Sequence, residues 1–234
     1  MVKKFQVFLD AIQKEYFREL LLTGLRNTLL IAVLGLLIGI LIGTIIAIVK
    51  VAPKYKWYMR ALNVICNIYV EFFRGTPMTV QLLLAYYVIV PLLKISGVDA
   101  LHVGIIVFGL NSAAYVSEIM RGGINSVDPG QLLAGRALGL SYPTTMIKIV
   151  IPQAIKNILP TLGNEFITLI KETSVLSFIT VSDLYFAFYS IQLSTNDTIV
   201  TFLIMAVIYL VIVLGITWLI RLLERSLNKS DRRN

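Results

Sequence analysis

Long apolar runs dominate the chain, and short polar segments separate them. A helix rises ~1.5 Å per residue, so ~20 residues cross ~30 Å of hydrocarbon. The runs predict membrane crossings at residues 22–50, 61–93, 102–121, 157–181 and 199–220. The sequence therefore predicts an all-α membrane protein with about five transmembrane helices, in which residues 1–234 form a single transmembrane domain.

The first 21 residues show a different pattern. Apolar side chains recur there at helical spacing, and charged residues occupy the other faces. The recurring positions are Phe5, Leu9, Ile12, Tyr16 and Leu20. This pattern predicts an amphipathic helix over residues 1–21 that lies along the membrane surface. A solvated helix that docks on a partner protein is the alternative. No apolar core of a signal peptide is predicted in this segment.

The first crossing carries three glycines four residues apart, at Gly35, Gly39 and Gly43. Such a ridge predicts close approach of another helix. The second run, residues 61–93, is too long for one straight crossing, and Gly75 and Pro77 interrupt it. A helix break is therefore predicted at that point.

Charge distribution decides how the interrupted run is counted. Two crossings there would place the basic loop at 50–60 opposite the basic loop at 121–156, against the positive-inside rule. One broken crossing is therefore predicted, with the carboxyl terminus in the cytoplasm and the amino terminus outside. Five lysines and arginines among the first 27 residues disagree with that orientation.

Glu71 and Arg74 lie just before the predicted break and are three residues apart, so they could pair on one helix face. A structural ion pair is one interpretation of these two charges. The other is a gate at Glu71, Arg74, Gly75 and Pro77, or a contact with a protein that delivers the substrate.

A polar stripe runs along the crossing at 157–181. Its members recur at helical spacing on an otherwise apolar helix, and Pro160 weakens the helix nearby. They are Asn157, Thr161, Asn164, Glu165, Thr168, Lys171 and Glu172. Polar stripes in a bilayer face a water-filled path or another polar helix. The stripe is therefore predicted to line a substrate pathway. Hydrogen bonding that only holds the bundle together is the alternative.

Residues 130–142 predict a short amphipathic helix that is too short to cross a bilayer. Apolar residues follow helical spacing at Leu133, Ala137 and Leu140, and the flanking segments are basic. We therefore expect a cytoplasmic helix that offers an apolar ridge to a partner. After the next crossing, Asp183 and Asp197 flank a segment without lysine or arginine, which is predicted to be an external loop.

Composition agrees with a membrane protein, since 57% of residues are hydrophobic, 15% are charged and the mean hydropathy is +0.82. The net charge of +8 is concentrated beside the crossings, so no nucleic-acid partner is predicted. The single cysteine, Cys66, excludes a disulfide framework within the chain.

No catalytic site is visible in the sequence. It has no phosphate-binding loop of P-loop spacing, no Gly-x-Ser-x-Gly elbow and no cysteine and histidine metal spacing. The lone His102 has no supporting residues around it. No metal or cofactor bound by this chain is predicted, and any ATP hydrolysis must reside on another chain.

The segment around residue 139 resembles the cytoplasmic loop of permease subunits in bacterial ATP-binding cassette importers. In that family a Glu-Ala-Ala triplet precedes a glycine, nine further residues and Ile-x-Leu-Pro. Here Gly139 is followed by nine residues and then by Ile149-Val150-Ile151-Pro152. The triplet departs from the family pattern, because this chain has Leu133, Ala134 and Gly135.

Other motifs resemble the polar amino-acid branch of that family, and the resemblance runs from about residue 20 to about residue 220. They include Phe73-Arg74-Gly75-Thr76-Pro77, Ala137-Leu138-Gly139-Leu140-Ser141, Leu162-Gly163-Asn164-Glu165-Phe166 and Lys171-Glu172-Thr173-Ser174. The resemblance implies a bacterial cell-membrane permease for amino acids of the glutamine, glutamate, arginine, histidine and cystine type. It also implies a homodimer or a heterodimer with a related permease.

The resemblance further implies two separate ATPase subunits, which hold ATP and magnesium, and an extracellular substrate-binding protein. Leu133, Ala134, Gly135, Arg136 and Gly139 would couple this chain to the ATPase. For the cargo, we expect Glu165 or Glu172 to meet an ammonium group and Asn164 to meet a carboxylate. An ion-coupled secondary transporter is the alternative function, and a structural membrane scaffold is a third.

Overall fold

The computed structural model describes residues 2–231, with side chains over residues 3–225, and every regular element in that part is helical. Arg232 and Arg233, near the carboxyl terminus, lie outside it. The α-helices are α1 (Val2–Gln13), α2 (Glu15–Val51), α3 (Trp57–Gly75), α4 (Met78–Leu84), α5 (Val90–Leu92), α6 (Ala100–Asn125), α7 (Pro129–Ala137), α8 (Tyr142–Thr145), α9 (Ile151–Glu172), α10 (Leu184–Thr195) and α11 (Thr198–Asp231). Two π-helical turns, Ala85–Ile89 and Met146–Val150, and a 3₁₀ segment, Thr173–Ile179, extend the neighbouring helices.

Three helices are long and apolar enough to cross a membrane alone. They are Glu15–Val51, Ala100–Asn125 and the Thr198–Arg225 part of α11. Two further pairs of helical segments are long and apolar enough only when each bent pair is counted as one span, which raises the number to five. They are α3 with α4–α5, and Tyr142–Ile179 with α10. The predicted break in the second run is confirmed, because α3 ends at Gly75 and α4 begins at Met78.

Two element boundaries differ from the prediction. Residues 15–21, expected in the surface helix, belong to α2, because no proline interrupts the chain between Glu15 and Val51. The expected external loop after Asp183 is largely the helix α10. The Asp183 carboxylate caps that helix by accepting hydrogen bonds from the backbone N–H groups of Tyr185 and Phe186 at 3.0 and 2.9 Å.

The helices pack into two compact units. The first comprises Met1–Leu37, Thr76–Gly109 and Phe166–Ile216. Its main core joins Ile31 of α2, Phe108 of α6 and Leu176 of the 3₁₀ segment, all with less than 1% of their surface exposed. A second cluster packs α1 on α10, where the rings of Phe8 and Phe188 stack 6.5 Å apart.

The start of α10 is fixed to α2 inside this first unit. The Asn27 amide donates to the Ser182 carbonyl at 2.9 Å, and the Leu184 N–H donates to the Thr28 hydroxyl at 3.1 Å. Gly24 permits this approach, because a Cβ there would lie 2.6 Å from the backbone oxygen of Asp183. A glycine is therefore required for α2 to meet the α10 cap so closely.

The second unit comprises Ile38–Gly75, Leu110–Glu165 and Thr217–Asn234. Its core joins α2, α3 and α6 through Ile46, Val70 and Ala114. Gly39 approaches α6 so closely that an added Cβ would lie 2.6 Å from the Ser112 hydroxyl. The packing interpretation of the glycine ridge is therefore confirmed.

Candidate functional site

Glu118 is the centre of a charged cluster inside the second unit. It lies near the carboxyl end of α6, and its carboxylate accepts from Lys50 Nζ of α2 at 2.6 Å and from Arg121 Nη2 at 2.6 Å. Arg74 Nη1, from the end of α3, lies 3.9 Å away. Glu118 and Arg121 are three residues apart on α6, a spacing at which side chains on one helix can pair. Arg74 pairs with Glu118, and no ion pair joins it to Glu71 among the residues that the structure describes.

The geometry of this cluster follows from the cost of charge inside an apolar chain. Removing a charged side chain from water is costly unless an oppositely charged group pairs with it. The Glu118 side chain is only 19% exposed and that of Lys50 only 12%, so each compensates the other's loss of hydration. Three cations around one carboxylate leave the cluster with a net positive charge.

A cavity of about 470 Å³ adjoins the cluster within the same unit. The Arg74 guanidinium lies over the Tyr115 ring, 5.5 Å from its centre. Asn157 donates to the Ser126 hydroxyl at 2.8 Å. The full lining is Arg74, Tyr115, Glu118, Ile119, Gly122, Gly123, Ser126, Asn157 and Thr161. The cavity thus offers a cation, an aromatic ring, an amide and hydroxyls, which are groups that can bind a small polar solute.

The predicted stripe divides between the two units. In the second unit, Thr161 lines the cavity, Asn164 is exposed, and Glu165 accepts a hydrogen bond from the Ser112 hydroxyl at 3.0 Å. In the first unit, Lys171 is exposed, and Thr168 and Glu172 are half-buried. The structure therefore brings Thr161 and Asn157 of the stripe together with Arg74.

Sequence reasoning missed two parts of this arrangement. It did not place Tyr115 beside Arg74, and it did not connect Lys50 to Glu118 across 68 positions. The only local signal was the Glu118 and Arg121 spacing of three residues. Among the described residues, no group of three histidine, cysteine, aspartate or glutamate side chains could hold a metal ion.

The helix α7 is a second candidate site, and hydrogen bonds fix both of its ends. It begins at Pro129 with Asp128 as its cap, whose carboxylate accepts from the Gly130 N–H at 2.7 Å. Gly139, at φ +81°, ends it. The Leu140 N–H donates to the Gly135 carbonyl and the Gly139 N–H to the Arg136 carbonyl, both at 3.1 Å, which is the bonding pattern of a Schellman motif. The helix is shorter than the predicted range of 130–142, because the left-handed glycine stops it.

The exposed face of α7 is unusually apolar. Leu133 is 69% exposed and Leu138 is 81% exposed, and Ala134 and Arg136 are exposed between them. Gly135 faces the other way and is buried, since a Cβ there would lie 2.5 Å from Thr145 Cγ2 of α8. The fold therefore presents Leu133 and Arg136 on a helix fixed at both ends, and Leu138 directly after that helix.

Known proteins match this chain over most of its length. The arginine transport system permease protein ArtQ of Bacillus subtilis is 36% identical over 211 residues, which are 90% of this chain and 94% of that protein. The putative glutamine transport system permease protein GlnP of Rickettsia bellii is 39% identical over 168 residues, covering 72% of this chain and 77% of that protein. A crystal structure of an amino acid ABC transporter with histidines has a TM-score of 0.84 at 38% identity, covering 94% of this chain and 98% of that chain.

The family model described as "binding-protein-dependent transport system inner membrane component" matches residues 35–229, well over half of the chain. This match agrees with the helical fold and with the several helices that are long and apolar enough to cross a membrane. The chain therefore belongs to the family of inner membrane components of binding-protein-dependent transport systems, and it is a multi-pass transport subunit.

Proposed function

We propose that this chain forms the membrane pathway of an ATP-driven importer for polar amino acids. In this proposal it pairs with a second copy or a related permease, and ATP and magnesium bind to separate ATPase subunits. A substrate-binding protein delivers the cargo from outside the cell. The names of the permeases ArtQ and GlnP and of the amino acid ABC transporter support the cargo class.

The proposed coupling to the ATPase rests on the exposed apolar side chains of α7. Leu133 is exposed on this nine-residue helix and Leu138 is exposed directly after it, so the segment gains free energy when a partner's groove covers both leucines. Leu133, Ala134 and Leu138 supply the apolar contact, and Arg136 supplies a charge for a carboxylate of the ATPase. Because Gly135 and Gly139 fix the helix to α8, movement of the ATPase passes to the membrane helices instead of being lost in the loop.

Access to the pathway changes when the ATPase dimer closes on ATP. Closure moves the docked α7 helices of the two permease copies relative to each other, and the cavity opens to one side of the membrane at a time. In this orientation α7 and the basic segment at 50–60 face the cytoplasm, as the positive-inside rule requires. The carboxyl terminus lies on the same side.

The cavity beside Glu118 is the proposed station for the cargo in the second unit. A zwitterion stripped of water needs partners for both of its charges. Arg74 binds the carboxylate, since its guanidinium is half-exposed and already oriented by Tyr115. Glu118 is a poor partner for the ammonium group because three cations surround it. Glu165, one helical turn beyond Thr161, is better placed.

The other stripe residues line the rest of the proposed pathway. Lys171 is exposed on a helix of a membrane protein, so a partner chain or water must cover it, and Asn164 is exposed on the same helix. A second copy that presents its own stripe meets that requirement. Thr168 and Glu172 are the stripe members of the first unit and serve the cargo there.

The docking role of α7 is tested by adding charge to its apolar face. Leu133→Asp should abolish copurification with the ATPase and ATP-driven uptake, while leaving membrane insertion and melting temperature unchanged, because the side chain is exposed. Gln131→Asp is the matched control, since it adds the same charge to another exposed position of the same helix. Normal copurification of Leu133→Asp, or equal loss in both variants, would reject the docking role.

A further inference from the structure

A second cavity in the second unit plays no part in the proposed transport step. It has a volume of about 400 Å³ and is lined by the end of α2, the loop after it, the first half of α3 and the carboxyl end of α6. Its lining has no carboxylate and consists of Lys50, Val51, Lys54, Asn63, Asn67, Arg121 and Asn125. We propose that this cavity binds the phosphate of an anionic phospholipid headgroup.

Charge is the first observation that supports this ligand. Lys50, Lys54 and Arg121 contribute three cations, and the neighbouring Glu118 carboxylate compensates one of them, so the site keeps a net charge of +2. The bonds from Arg121 to Glu118 involve its Nε and Nη2 and not its Nη1. Lys50 has three N–H donors and gives one bond to Glu118. The Glu118 carboxylate therefore positions both cations, and each cation keeps N–H donors that do not bond to Glu118.

The asparagines complete the donor set. Asn63 and Asn67 are four residues apart on α3 and half-buried, and Asn125 lies on α6. Each side-chain amide has two N–H donors that suit a phosphate oxygen. An amino-acid zwitterion fits this cavity poorly, because no lining residue can accept a bond from an ammonium group through a carboxylate.

The position of the cavity relative to the membrane surface favours a lipid over a soluble anion. The apolar part of α2 ends at Lys50, so the lining lysines lie where hydrocarbon gives way to headgroups. Tyr55 and Trp57 next to it are 88% and 80% exposed, as in the aromatic belts of membrane proteins. On α3, exposed apolar side chains such as Ile65 and Ile68 provide a surface for acyl chains. Basic cavities between membrane helices are known binding places for anionic headgroups.

The test uses the full-length protein in a neutral detergent, without cargo, ATP or partner, so its result is independent of the proposed function. The probes are dioctanoyl phosphatidylglycerol, dioctanoyl phosphatidylcholine and inorganic phosphate, and the readout is the rise in melting temperature with probe concentration. Phosphatidylglycerol should raise the melting temperature in a saturable way, whereas phosphatidylcholine should not. Inorganic phosphate should bind at least tenfold more weakly.

Lys54→Gln should weaken phosphatidylglycerol binding about fivefold, as expected for one basic residue at a membrane surface. Lys56→Gln is the matched control, since it removes the same charge from the same exposed loop outside the cavity, and it should change binding less than twofold. Asn67→Leu, which removes an amide donor from the lining while keeping the shape of the side chain, should also weaken binding. Equal binding of both lipids, or equal effects of the two lysine variants, would overturn the proposal. Phosphate binding as tightly as the lipid would also overturn it, in favour of a soluble anion.

Discussion

Replacing Glu118 by glutamine tests whether one carboxylate holds the second unit together. Glutamine keeps the shape of the side chain and one acceptor oxygen but removes the charge. Lys50 Nζ and Arg121 Nη2, each 2.6 Å from the carboxylate, and Arg74 Nη1 at 3.9 Å would then repel one another without compensation. Because the three cations come from α2, α6 and α3, the change affects the contact of all three helices.

The expected loss of stability follows from the exposure of each partner. Breaking a buried ion pair costs about 3–5 kcal/mol, whereas an exposed pair contributes about 0.2–1 kcal/mol. Lys50 and Glu118 are 12% and 19% exposed, so their pair contributes somewhat less than a buried one, about 2 kcal/mol. Arg121 and Arg74 are 40% and 46% exposed, which gives about 0.5 kcal/mol each. Glu118→Gln should therefore cost about 3 kcal/mol.

Thermal unfolding of the full-length protein in detergent measures this loss, with Trp57 and Trp218 as intrinsic fluorophores. For a chain of this size, about 3 kcal/mol lowers the melting temperature by about 6–12 °C. Glu71→Gln, an exposed charge of the same type on α3, should shift it by less than about 2 °C. Combining Lys50→Met with Glu118→Gln should restore part of the loss. A Glu118→Gln variant that melts within about 2 °C of the unmodified protein would refute the reasoning.

Three further outcomes are expected. Gly24→Ala should lower the free energy of unfolding by about 1–3 kcal/mol, because its Cβ would meet a backbone oxygen at 2.6 Å, whereas Gly215→Ala, with nothing within 4 Å, should leave it unchanged. Gly139→Val should weaken copurification with the ATPase at least tenfold while the chain still inserts, because a β-branched residue is strained at φ +81°. Glu165→Ala or Glu172→Ala should raise the substrate concentration for half-maximal uptake at least tenfold, and unchanged kinetics in both would reject their role in cargo binding.

Sequence reasoning succeeded where a single stretch of chain contains the whole signal. The break before Met78 follows from Gly75 and Pro77, and the glycine ridge of α2 follows from three glycines on one helix face. The end of α7 is harder to predict, because Gly139 stops the helix through a left-handed conformation before the apolar pattern itself ends. Local patterns thus predict elements well and their boundaries less well.

The candidate cavity depends on contacts that no local pattern contains. Lys50 and Glu118 come from different helices, and their pairing depends on how closely Gly39 lets α2 approach α6. The helix α10 was also missed, because the absence of lysine and arginine in that segment favoured a loop. Its cap, Asp183, and its unbroken apolar stretch are the signals that could have identified it.

Reconstituted uptake tests the energy source of transport most directly. The full-length chain is reconstituted in lipid vesicles, and labelled arginine, glutamine, histidine or cystine is added outside them. The ATPase subunits, the substrate-binding protein and internal ATP are each included or left out. We expect uptake of at least one of these amino acids only when ATPase, binding protein and ATP are all present. Equal uptake by vesicles that contain this chain alone, driven by an ion gradient, would contradict ATP-driven import and favour a secondary transporter.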